Sequence, residues 1–260
     1  MFSRNTYIKR RNILSENLEN GFVLFLGHQN SPMNFSHNAY RFVQDTNFLY
    51  YVGVSLPNCA CLIDVANNKT TFYMKETTIY DIIWIGKTKS IQSWGDDTGA
   101  DIIKDISKLE SDIKNKKNVM YPPQFRSENK IQIHELLGVP LKKVEKQSSV
   151  KLINAVIKQR SIKSDEEINE IKNALKITNL IHLKSMTAAK PGKYEYEIVA
   201  EMEKIIKDHS VELAYPIIFT KNGQILHNSI YSNKIEKDNL LLNDSGANSK
   251  LHYASDITRT

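Results

Sequence analysis

Two aspartates near the end of the chain, Asp244 and Asp256, have the setting that chemistry needs. Asp244 closes the apolar run Asn239-Leu-Leu-Leu-Asn-Asp244, and Asp256 sits in Ala254-Ser-Asp-Ile-Thr258, beyond a Gly-containing segment. Carboxylates at strand ends in apolar surroundings need their charge compensated. Two strands joined by such a hairpin can bring both side chains to one place. Without a cation they would repel, and one would be forced to protonate. A divalent metal, or a pair of metals about 3.5–4 Å apart, removes the conflict and supplies a hydroxide nucleophile at neutral pH. Spacing alone leaves a structural alternative open: one Asp caps a turn and the other pairs with Arg259.

His227 follows Ile225-Leu and precedes Asn-Ser, at the end of a segment read as the neighbouring strand. A lone His is commonly a satisfied core or rim residue. Beside a metal-activated water, an imidazole is a natural donor to a developing oxyanion or leaving group.

The elements that must position these residues fall into two parts. Up to about residue 145, strands are expected at Phe22–Gly27, Asn47–Gly53, Ala60–Val65, Thr70–Met74 and Val119–Tyr121, with helical spacing from Ile102 to Leu109. Residues 151–164 read as a linker between a domain at 1–150 and another at 165–260. Ser164-Asp-Glu-Glu167 is a capping box. It opens a helix to about Thr187, with Ile168, Ile171, Leu175 and Thr178 on its inward stripe. Pro191-Gly192 breaks it, and a second amphipathic helix follows with Ile198, Met202 and Ile205 inward. Strands at Tyr215–Phe219, Ile225–His227 and Asn239–Asp244 complete this part.

At 260 residues, 41% hydrophobic and 25% charged, the composition is that of an ordinary globular protein. No apolar run of about 18 residues exists to span a membrane, and no apolar segment follows the basic start to make a secretory signal. A cytoplasmic protein is expected. The net charge of +6 comes from scattered lysines without interleaved aromatics, so a nucleic-acid partner is not expected. Cys59 and Cys61 share a strand face, which suits neither a disulfide nor a zinc site.

These residues also carry a family resemblance. Asp244-Ser-Gly-Ala247 and Tyr253-Ala-Ser-Asp-Ile-Thr-Arg-Thr260 resemble the first half of the metal site of the Xaa-Pro aminopeptidases (aminopeptidase P), pita-bread metallopeptidases. Asn222-Gly-Gln-Ile-Leu-His227 is similar to the segment with their substrate-contacting His, and Tyr215-Pro-Ile-Ile218 to the strand before it. Ser161-Ile-Lys-Ser-Asp-Glu-Glu-Ile168 resembles the entry to their catalytic domain, and Ala189-Lys-Pro-Gly-Lys-Tyr-Glu-Tyr-Glu197 its turn between helices. Tyr40-Arg-Phe-Val-Gln-Asp-Thr-Asn-Phe-Leu-Tyr-Tyr-Val-Gly53 and Trp84-Ile-Gly86 are similar to the amino-terminal domain, although Val43 replaces a basic residue common there.

The resemblance implies an α/β (α+β) chain: an aminopeptidase-P-type (creatinase-type) α/β domain, then the first half of a pita-bread catalytic domain. It implies Asp244 and Asp256 as ligands of a two-metal site, usually manganese, with Asp256 bridging. His227 would be catalytic, helping to hold the tetrahedral intermediate. Tyr215 and Trp84 would be substrate-binding, Trp84 in a segment that can reach a neighbouring subunit's active site, which implies a homo-oligomer. The substrate would be a peptide with proline at its second position. The family completes its metal shell with a His and two Glu from a later half that this sequence does not contain. The chain is therefore expected to be a truncated fragment without turnover, with Ile168, Ile171, Leu175, Ile198, Met202 and Leu241 short of cover. A prolidase, cutting dipeptides only, is the close alternative. A metal-free binding module is the other, and three converging metal-site groups argue against it.

Overall fold

The computed structural model describes residues 1–35 and 37–260. They form two compact units, Met1–Ile162 and Lys163–Thr260. In the first, α1 (Arg4–Glu16) leads into β1 (Phe22–Leu26), the ribbon β2 (Pro32–Phe35) and β3 (Asn38–Ala39), and α2 (Thr46–Tyr51). Then come β4 (Cys59–Asp64), β5 (Lys69–Met74), α3 (Ile79–Ile85), α4 (Ile91–Thr98), β6 (Ile102–Asp105), α5 (Leu109–Ile113), β7 (Val119–Met120), α6 (Ser127–Leu137) and α7 (Val150–Ser161).

Five strands make one sheet in the order β6-β5-β4-β1-β7, antiparallel at its centre and parallel at both edges. Alternation divides each central strand between two cores. Val23, Phe25, Cys59, Cys61 and Ile63 enter one; Leu24, Leu26, Ala60 and Leu62 enter the other. Burial on both faces is why these strands read as continuous apolar runs rather than alternating ones.

Three local expectations are corrected here. Asn47–Gly53 is not a strand, because the Asp45 carboxylate accepts from the backbone N–H of Asn47 and Phe48 at 2.9 and 2.8 Å and caps a helix. Burial raises the Asp45 carboxyl above its usual range, against the opposing pull of those two hydrogen bonds. The helical spacing at Ile102–Leu109 gives way to β6, which pairs in parallel with β5, and a single 3-10 turn. Residues 151–161 of the expected linker are α7, whose Leu152, Ala155 and Val156 are buried in the first core.

The second unit holds α8 (Asp165–Ala188), α9 (Glu195–Asp208), β8 (Ile218–Thr220), β9 (Leu242–Ser245) and β10 (Ile257–Arg259). The Ser164–Glu167 capping box forms as read, with Glu167 accepting from the Ser164 N–H at 3.0 Å. The strands make an antiparallel sheet, β10-β9-β8, over a core of Ile181, Ile198, Val199, Met202, Ile206 and Phe219.

Ile198 and Met202, expected to lack cover, are fully buried. Of the expected inward stripe of α8, Thr178 is fully buried, while Ile168 and Leu175 are each 38% exposed. Its buried residues are Glu167, Ala174, Thr178, Ile181, His182 and Ser185. Ile225–His227 is not a strand either. It finds no pairing partner among the described residues and lies in a loop with Leu226 77% exposed. Among the described residues no helix is long and apolar enough to cross a membrane.

Candidate metal centre

β9 is the central strand, with Ile218 of β8 on one side of Asp244 and Thr258 of β10 on the other. Alternation sends Asn243 and Ser245, 4% and 0% exposed, to the buried face, and Asp244 to the opposite one. Asp256 immediately precedes β10, where Ile257 pairs with Ser245. The return between the strands depends on Gly246. A Cβ there would stand 1.8 Å from the Ser255 carbonyl oxygen, so only glycine lets the chain on either side of the two aspartates close up.

Tyr215 joins the two carboxylates. Its Oη lies 2.6 Å from Asp244 Oδ1 and 2.8 Å from Asp256 Oδ1, donating its one hydrogen between them. Burial, and then the hydrogen bonds to the two aspartates and their negative charges, push the phenol well above its usual range. Of the structural alternatives, an Asp256–Arg259 ion pair is not formed among the described residues; the guanidinium instead donates to the Thr258 carbonyl at 2.7 Å.

Asp244, Asp256, Tyr215 and His227 line one cavity of about 480 Å³, together with Pro216, Ile218 and Ser229. His227 is exposed and makes no hydrogen bond among the described residues. Its loop is fixed at both stems by Glu195, a fully buried carboxylate that accepts from the Lys221 N–H at 2.9 Å and from the Asn233 side chain at 2.9 Å. Asn228, next to His227, donates to Thr220 Oγ1 at 3.0 Å.

Trp84 lies in the first unit. It is 68% exposed on α3 and stacks on His37 at 6.2 Å between centroids.

Apart from the His227 imidazole, the side-chain donors around the cavity are carboxylate and hydroxyl oxygens, the kind that hard divalent cations such as manganese and magnesium take. Their number is short: among the described residues no three His, Cys, Asp or Glu side chains stand together to hold an ion. The residues fit such a cation in kind and would supply part of its shell. Sequence reasoning missed two supports of this site. One is the bridging of the carboxylates by the phenol, and the other is the pair His182 and Ser185, which extend Thr178 into a polar stripe beneath β9. The stripe had a signal in polar residues recurring at helical spacing on a buried face.

The site and the fold around it define a class. Residues 7–121 match the family "Aminopeptidase P, N-terminal domain", and residues 169–260 match "Metallopeptidase family M24". The chain thus joins a region similar to the aminopeptidase P amino-terminal domain to a region similar to the M24 metallopeptidases.

Among particular relatives, the Xaa-Pro aminopeptidase of Escherichia coli is 24% identical over 278 aligned residues, covering 99% of this chain and 62% of its own length. A probable Xaa-Pro aminopeptidase of Blastomyces gilchristii is 26% identical, covering 93% of this chain and 48% of its own length. A solved structure of a variant E. coli aminopeptidase P in complex with substrate superposes with a TM-score of 0.86 at 22% identity, over 100% of this chain and 62% of that one. Another, with the inhibitor Pro-Leu, has a TM-score of 0.85. The chain thus spans about half to two thirds of the length of these relatives.

Proposed function

We propose that this chain carries the first part of a metal-dependent aminopeptidase that cleaves between an amino-terminal residue and a following proline. The observation that carries the reading is the convergence of Asp244 and Asp256 on the Tyr215 hydroxyl, in a cavity that His227 also lines. In this reading Asp244 and Asp256 hold one or two divalent cations, manganese for preference. A bound cation supplies Lewis acidity and an easily deprotonated water. His227, exposed at the cavity, donates to the oxyanion as the scissile carbonyl becomes tetrahedral. Tyr215 orients both carboxylates and contributes to the substrate-binding wall. An Xaa-Pro bond has no N–H and a fixed φ, so it demands a site of its own, and the relatives' names supply the proline preference.

A homo-oligomer, with Trp84 reaching a neighbouring subunit, belongs to this reading. Its support is α3, an apolar helix with no buried residue. A cytoplasmic setting also belongs to this reading, and its support is that Cys59 and Cys61 are buried thiols not paired with each other, as suits a reducing compartment.

The test is a manganese titration of the 260-residue chain followed by water-proton relaxation. Weak, saturable binding is expected, lost in Asp244→Asn and in Asp256→Asn, with no hydrolysis of an Xaa-Pro peptide because two carboxylates are too few ligands. Binding unchanged in both variants would sink the assignment, and metal-dependent turnover would show that the ligand shell is complete.

A further inference from the structure

The helix beneath the sheet presents an unusual face. At Thr178, His182 and Ser185, where α8 packs on β9, the buried side chains are polar, at 0%, 5% and 3% exposure. Buried polar groups persist only when hydrogen-bonded, and each of these is bonded to the hairpin that carries the two aspartates.

His182 and Ser185 hold the residues on either side of Asp244. Asn243 Nδ2 donates to Ser185 Oγ at 2.8 Å and to His182 Nδ1 at 3.3 Å. Ser245 Oγ donates to Asn243 Oδ1 at 2.8 Å and stands 3.2 Å from His182 Nε2, and Ser185 Oγ donates to the His182 carbonyl at 2.8 Å. The directions close with no donor wasted if the imidazole carries its hydrogen on Nε2.

Thr178 holds the approach to Asp256. Its Oγ1 accepts from the Ala247 N–H at 2.9 Å and lies 2.7 Å from Ser255 Oγ, which donates to the Ala247 carbonyl at 2.9 Å. Every anchor falls on a residue that flanks a candidate ligand or lies in the loop between them. None falls on Asp244 or Asp256.

An apolar face would hold the sheet on the helix without fixing where along the strand it sits; directional hydrogen bonds fix that position. We propose that Thr178 and His182 are positioning residues that lock the two arms of the hairpin so that Asp244 and Asp256 converge on one point. The proposal rests on the reading of that pair as the cation-holding carboxylates. Its geometric content can be measured without any cation.

The experiment compares the wild-type chain with Thr178→Val, which keeps shape and loses the hydroxyl, Thr178→Ser, which restores it, and His182→Leu. The first readout is the proton NMR resonance of the Tyr215 hydroxyl shared by the two carboxylates, assigned by its loss in Tyr215→Phe. The second is manganese affinity by water-proton relaxation. Expected is loss or displacement of the hydroxyl resonance in Thr178→Val and His182→Leu, with affinity weakened about tenfold, as for other outer-shell changes. Thr178→Ser returns both readouts to wild type.

A folded Thr178→Val chain with the wild-type resonance and affinity overturns the proposal, as does a wild-type chain without that resonance. If the wild type takes up no manganese, the cation reading fails by itself, and the hydroxyl resonance still decides whether the clamp exists.

Discussion

The spacing of Asp244 and Asp256 allowed them to converge but equally allowed a turn cap and an ion pair with Arg259, and it was the family resemblance that favoured convergence. The partner that reconciles them here, Tyr215, lay out of reach of such reasoning. It stands on a different segment, and only the tertiary fold brings its hydroxyl to 2.6 and 2.8 Å from the two carboxylates. Gly246 lies between these cases: Asp-Ser-Gly marks a turn, but the reason for glycine is a backbone oxygen 1.8 Å from its missing Cβ. Backbone cannot swing aside as a side chain does. Gly246→Ala is therefore expected to lower stability by about 1–3 kcal/mol, the range for overpacked sites, and to push Ser255 and Asp256 away from β9. Thermal unfolding measures the first effect and loss of the Tyr215 hydroxyl resonance the second. An alanine variant with wild-type melting and an unchanged resonance would show that the hairpin has slack there.

Helices with strong local signals were legible in the sequence, and short apolar segments were not. The Ser164–Glu167 box and the Pro191-Gly192 break bound α8 as read. Asn47–Gly53, rich in Phe, Leu, Tyr and Val, suits a strand as well as a helix, and the cap from Asp45 decides it. Along α8 the apolar residues marked the wrong stripe, because its buried face is largely polar. The apolar residues instead remain in water: Leu183 is 51% exposed and Met186 60%.

The same kind of exposure marks α3, where Ile79, Ile83, Trp84 and Ile85 are 79, 76, 68 and 71% exposed. Apolar exposure on this scale in one short helix is the mark of an interaction surface. Sedimentation of the chain is expected to show a self-associated species that Ile83→Lys shifts towards monomer, with the fold unchanged because Ile83 packs into no core. A wild-type chain that is monomeric at all concentrations would remove α3 as an oligomer contact.

Across the whole molecule, stability is expected to be uneven. The first unit has a five-stranded sheet covered on both faces by separate clusters of buried side chains. The second has one such cluster under a three-stranded sheet. Opening should therefore begin in the second unit, whose smaller sheet packs on a single core. Between α7 and α8 the chain runs through Ile162, 81% exposed, with no regular helix from 162 to 164. Limited proteolysis is expected to cut first at 161–166 or in the loop 221–240, and to leave a resistant fragment ending near residue 162. First cleavage inside residues 1–145, with 165–260 protected in a monomer, would reverse the assignment of the weaker unit.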